Sequence, residues 1–144
     1  MIRKNKRVLI GFEMDKRKYL VNEFLWPNVR HQWANKDDLE ALVDYFKYTL
    51  CTDNKYTLRA AMAELTPTTQ GVLRMKYKSL RSLAEMTNSQ FMDWFSDRWP
   101  ECVNIVTADY FLGSNVVDIA LSVNYKKHIK QKQTNRFGGL YWKV

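Results

Sequence analysis

Between Asn124 and Lys132 the chain reads Asn-Tyr-Lys-Lys-His-Ile-Lys-Gln-Lys, a run dense in amide and ammonium groups. Asn124 and Gln131 carry the paired donor and acceptor that match an adenine edge. Lys126, Lys127, Lys130 and Lys132 suit phosphate oxygens or guanine edges, with Tyr125 and His128 beside them. Arg136 and Lys143 continue the series, and a second basic group, Arg3, Lys4, Lys6 and Arg7, lies at the other end of the chain. From Ile119 to Val144 there are six basic residues and no acidic one. This inventory is suited to holding a polyanion rather than to breaking a bond.

Reading these residues against a duplex requires elements that turn them outward. Asn115 to Leu121 has the apolar spacing of a helix, Ser122, Val123 and Asn124 are polar or small enough for a turn, and Tyr125 to Lys132 forms a second helix. Val116, Ile119, Ala120 and Val123 would pack inward, and Ile129 would anchor the second helix from its inner side. That is the layout of a helix-turn-helix whose second helix enters the major groove. Gly138-Gly139 then supplies a two-residue turn on which the segments before and after it would pair as a hairpin.

This C-terminal stretch resembles the nuclease-associated modular repeats, short DNA-binding units of phage and intron homing endonucleases. The resemblance covers about thirty residues and rests on the helix pair, the basic segment and the ending Gly138, Gly139, Tyr141, Trp142 and Lys143, with Leu140 inserted. It implies sequence-specific binding of double-stranded DNA by a protein of a phage or mobile element, at an origin or operator, or as the targeting module of an initiator or nuclease. It implies nothing about the first hundred residues.

The net charge of +8 is unevenly placed. Residues 1–18 hold seven basic against two acidic residues, whereas residues 19–118 carry a net −3. Both ends are therefore positive and the centre is not. A length of 144 residues with 46% apolar content fits a single domain with a real core. It divides into an arm and strand over 1–16, a helical body over 17–108, and the helix-turn-helix with hairpin over 109–144.

Within the body, Tyr19–Trp26 is expected to be helical and to stop at Pro27. Leu39, Leu42, Val43, Phe46 and Leu50 repeat at helical spacing behind Asp37 and Asp38, whose charge suits a helix start. Lys55–Leu65, rich in Ala, Met and Glu, reads as another helix, and Thr66-Pro67 as the start of a further one. Leu80 to Met86 and Phe91 to Arg98 complete the helical set, while CVNIVTA is either a strand or a buried connector. The expected class is mainly α within α+β, with Val8–Phe12 and the C-terminal hairpin sharing a small sheet.

Several chemistries find no support in the sequence. There is no phosphate-cradling glycine loop, dinucleotide fingerprint or serine-elbow motif. His31 and His128 stand apart from other ligands, and Asp37, Asp38 and Glu40 are explained by a helix start, so neither a metal nor a cofactor is expected. The expected protein is not an enzyme. A small basic metal-dependent nuclease and a phage protein that binds a host protein are the alternatives. Cys51 and Cys102 are expected to remain thiols in a cytoplasmic chain. No membrane partner is expected, for want of a basic amphipathic helix or a lipidation signal, and five tryptophans are compatible with a homodimer.

Overall fold

The computed structural model describes residues 10–12, 25–52 and 58–138. Strand β1 (Ile10–Phe12) pairs in parallel with β2 (Leu25–Pro27). A second sheet holds β3 (Arg30–Gln32), β4 (Arg59–Met62) and β5 (Ile105–Thr107) in that spatial order, again all parallel. Its register sets His31 opposite Ala60, and Ala61 opposite Val106. Helices dominate the rest, so the α+β class holds, but the strands are joined by crossovers rather than by a hairpin. β1 takes Leu25–Pro27 as its partner, a segment whose spacing suggested the end of a helix; the rest of that expected helix lies outside the described residues.

Parallel neighbours need a connection that returns the chain to the same end of the sheet. Between β3 and β4 that connection is α1 (Leu39–Thr49). Asp38 caps it by accepting a hydrogen bond from Ala41 N at 2.9 Å, and Leu42, Phe46 and Leu50 are fully buried. At its other end two buried polar side chains take the orphan carbonyls. Gln32 Nε2 donates to Thr49 O at 2.9 Å, and Arg59 Nη1 to Leu50 O at 3.1 Å. Sheet and helix are thus joined by hydrogen bonds as well as by apolar contact.

The return from β4 to β5 is longer. It runs through α2 (Thr69–Leu73), α3 (Leu80–Asn88) and a π-helical segment, Met92–Arg98. Thr68, rather than Thr66, caps α2, with its Oγ1 accepting from Gly71 N at 3.0 Å. Ser79 and Ser82 form a reciprocal capping box on α3. In the π-helical segment Trp99 N donates to Trp94 O at 2.8 Å, a five-residue span that widens the turn. Trp94, Phe95 and Trp99 thereby surround Phe46, with ring centroids 5.7, 6.3 and 5.9 Å away. These aromatics complete the core, which also includes Ala61, Ala63, Leu83, Ile119 and Val123.

β4 is where local propensity is overruled. Arg-Ala-Ala-Met suits a helix by composition, yet Ala60 and Ala61 are 2% and 0% exposed in the central strand. Small side chains let layers close on both faces of the sheet, and burial of that kind outweighs the few tenths of a kcal/mol per residue that propensity offers.

The amino-terminal side of the sheet is fastened covalently. Cys51, just after α1, and Cys102, just before β5, form a disulfide with a Cα–Cα distance of 4.9 Å. The expectation of two thiols is therefore corrected. Sequence separation hid the pairing, because only the crossovers bring the end of α1 beside the approach to β5. The bridge closes a loop across a separation of 51 residues. Chain-entropy reasoning gives it about 4 kcal/mol of stability. Reduction, or the Cys51→Ser variant, is expected to lower the unfolding free energy in urea by about that amount; a change below about 0.5 kcal/mol would contradict this account.

Candidate functional site at the carboxyl edge of the sheet

Of the residues singled out by the sequence, Asn124 to Lys132 and Arg136 fall on one element, α4 (Val116–Gly138). It is a continuous helix of 23 residues with no turn at Ser122, Val123 and Asn124. The two expected helices are one, because Ile119 and Val123 lie on the same face and both are buried in the core. Asn124, Tyr125, Lys126, His128, Lys130, Gln131 and Lys132 are exposed along it, and Lys127 is half-buried. Lys127 and Lys130 each approach Glu101 at 3.8 Å, so part of the lysine set is turned toward a carboxylate of the protein itself. Ile129, expected to face inward, is 37% exposed. The side chain of Arg136 is not described, and Arg3, Lys4, Lys6, Arg7, Lys143 and the Gly-Gly turn's partner segment lie outside the described residues.

A different set of side chains converges at the carboxyl end of the β3–β4–β5 sheet. Every strand there runs the same way, so the segments that follow them leave from one edge. After β3 come Trp33, Asn35 and Asp37; after β4, Glu64 and Thr66; after β5, Asp109 and Tyr110. Trp33 Nε1 donates to Thr66 Oγ1 at 3.0 Å and Thr66 N to Lys36 O at 2.7 Å, which ties the first two segments together.

Asp37 joins the segment after β3 to the α2–α3 connection. It forms an ion pair with Lys76 at 2.7 Å and accepts a short hydrogen bond from the Tyr77 hydroxyl. Tyr77 Oη in turn accepts from Thr68 N at 3.2 Å. The donors from Lys76 and then Tyr77 hold the Asp37 carboxyl below its ordinary range, against a smaller opposing effect of desolvation. Below them Gly71 lies against the Tyr77 ring, leaving no room for a Cβ. The acidic pair that suggested only a helix start is thus divided in role, with Asp38 capping α1 and Asp37 clamping a loop.

Glu64 and Asp109 each sit two residues beyond the end of adjacent strands. Glu64 is half-buried, and its carboxyl is pushed above the usual range, first by desolvation and second by the negative charge of Asp109. Asp109 O accepts from Asn88 Nδ2 at 3.1 Å, which fixes α3 to the end of β5. Beside that contact opens a cleft of about 510 Å³ lined by Arg81, Glu85, Asn88 and Tyr110 to Gly113. Three non-glycine residues have left-handed backbone, Asn35, Met75 and Tyr110, with φ of 52°, 51° and 50°. One follows each strand of this sheet. Such conformations cost of order 1–2 kcal/mol and concentrate where function demands an unusual chain path.

Sequence reasoning missed this edge. Its only available sign was that two short runs with small or β-branched residues, RAAMAE and VNIVTAD, each end on an acid. No group of three or more His, Cys, Asp and Glu able to hold a metal occurs among the described residues. No described helix is long and apolar enough to cross a membrane.

One known protein is similar in sequence to this chain. Over 106 residues the chain is 28% identical to PI-PLC X domain-containing protein 1 of Danio rerio, a match covering 69% of this chain and 34% of that protein. The chain therefore spans about a third of the length of the curated relative it matches. No family model matches the chain, and no solved structure does. The similarity overturns the expectation of a DNA-binding protein of a phage or mobile element, with its replication and nuclease alternatives, and equally the expectation that the chain is not an enzyme. The terminal charge on which those expectations rested is a property many folds share, and the helix-turn-helix that would have made it specific is a single helix.

Two outcomes test the clamp. Gly71→Ala is expected to displace the Tyr77 ring and lower the thermal midpoint, while Gly113→Ala, where a Cβ meets nothing within 4 Å, leaves it unchanged. Because the Asp37 carboxyl is depressed in the folded state, its contribution is full above the unfolded carboxylate range and is lost as pH falls through its folded value. Asp37→Asn should flatten that acid limb of the stability profile, measured by chemical denaturation across pH; an unchanged limb would place the acid sensitivity elsewhere.

Proposed function

We propose that this chain forms part of a phosphoinositide phospholipase C-like domain and that the carboxyl edge of its β3–β4–β5 sheet contributes to cleavage of an inositol phospholipid's phosphodiester. The 106-residue similarity to a PI-PLC X domain-containing protein carries the reading. The fold supports it, since parallel strands present functional side chains at their carboxyl ends.

Cleavage on the glycerol side of the phosphate replaces the P–O bond to diacylglycerol with one to the oxygen of water; the attacking water gives up a proton and the departing diacylglycerol oxygen gains one. A carboxyl that keeps its proton to higher pH than usual is matched to that donation. Glu64 has this property through burial and the neighbouring Asp109. Asp109, exposed beside it, supplies the negative charge that adds to the effect of burial on Glu64. Arg81 on the wall of the adjacent cleft supplies positive charge of the type that offsets a phosphate.

The test is release of water-soluble phosphoinositol when the 144-residue chain is incubated with phosphatidylinositol. Release is expected from phosphatidylinositol and none from phosphatidylcholine. Glu64→Gln should lower the rate by a factor of about 100 or more, as loss of an acid catalyst does. The limb of the rate profile that falls as pH rises through the raised Glu64 value should disappear with it. Neither release nor saturable binding of glycerophosphoinositol would overturn the reading.

A further inference from the structure

The segment from Thr66 to Ser82, which leaves the sheet edge after β4, contains Arg74, Lys76, Lys78 and Arg81 and no acidic residue. Apart from Tyr77, which packs against the core, its large apolar side chains are exposed. Leu73 is 79% exposed, Met75 89%, and Val72 and Leu80 more than half. The segment that leaves the same edge after β5 behaves alike, with Tyr110 and Phe111 more than half exposed and Leu112 88%. The two meet where α3 contacts the 3₁₀ turn Phe111–Gly113, across the cleft walled by Arg81 and Tyr110. Met75 and Tyr110, at the tips of these segments, hold left-handed backbone.

Large apolar groups are rarely left in water in such number without a partner. Here they alternate with cations. Among the described residues Lys76 pairs with Asp37 and Arg81 with Glu85, while Arg74 and Lys78 have no carboxylate partner. Apolar tips between basic side chains match the layered chemistry of an anionic bilayer, in which acyl chains lie beneath a sheet of phosphates. A second copy of this chain would bring like charges together, and an unfolded acidic peptide would leave Leu112 and Met75 without an apolar medium.

We propose that the post-β4 and post-β5 segments form a docking surface for anionic lipid membranes, with Leu73, Met75 and Leu112 inserting at the headgroup boundary and Arg74 and Lys78 meeting lipid phosphates. The choice of a lipid partner rests on the phospholipase reading above. The surface would bring a bilayer to the edge that holds Glu64 and Asp109.

Co-sedimentation of the full chain with vesicles tests this. Binding is expected to vesicles of phosphatidylcholine with added phosphatidylserine, and not to phosphatidylcholine alone. Neutralising Arg74 or Lys78 to Gln should weaken it about fivefold each, and salt should weaken it further. Leu73→Ser with Met75→Ser and Leu112→Ser should weaken it roughly tenfold or more. All five positions are exposed, so thermal unfolding of the variants should match the parent and report intact folding. Absence of binding to anionic vesicles overturns the proposal, as does binding that the three serine substitutions leave unchanged. Cleavage of a monomeric short-chain phosphatidylinositol without vesicle binding sinks the docking surface alone. Vesicle binding without cleavage of either substrate sinks the catalytic reading alone.

Discussion

The structure depends on one constraint, the parallel pairing of β4 with a strand on each side. Parallel neighbours forbid tight hairpins, so each connection must cross a face of the sheet, and the helices that do so become its cover. Direction follows as well. All three strands begin on one side and end on the other, which separates an amino margin from a carboxyl margin. The Cys51–Cys102 bridge and the hydrogen bond of Arg59 to the end of α1 belong to the first. The clamp on Asp37, the Glu64 and Asp109 carboxyls and the strained turns belong to the second.

Alanine at Ala60, Ala61 and Ala63 is what makes the central position workable. Larger side chains would hold the aromatic cluster around Phe46 away from the sheet, and the π-helical widening at Met92–Arg98 would have nothing to fit. Core packing and backbone irregularity are therefore one solution. Trp94 and Trp99 reach the same ring from two directions because the turn between them spans five residues rather than four.

How much of this was legible varied with the physics behind each element. α1 and α3 could be read because an amphipathic stripe and a capping side chain are local signals. β4 could not, since its residues prefer a helix and only neighbours distant in sequence make it a strand. The C-terminal helix was read as two because Ser122 and Asn124 are weak helix formers, yet Ile119 and Val123 hold the face continuous through them. Of the functional edge, Asp37 was noticed but given only its neighbour's role. Glu64 and Asp109 are far apart in sequence, and their mutual influence exists only once β4 and β5 lie side by side. Clustered lysines stand out in a sequence, whereas the interleaving of Arg74, Lys76 and Lys78 with exposed apolar side chains becomes visible only once burial is known.

The covalent bridge has a consequence for handling the molecule. Its sulfurs sit at the end of the sheet opposite the carboxyl edge, so whether they are joined governs how readily the crossovers come apart and not the layout of the loops beyond Glu64 and Asp109. Preparations kept with a thiol reagent and preparations kept without one would share the same carboxyl edge and differ in shelf life.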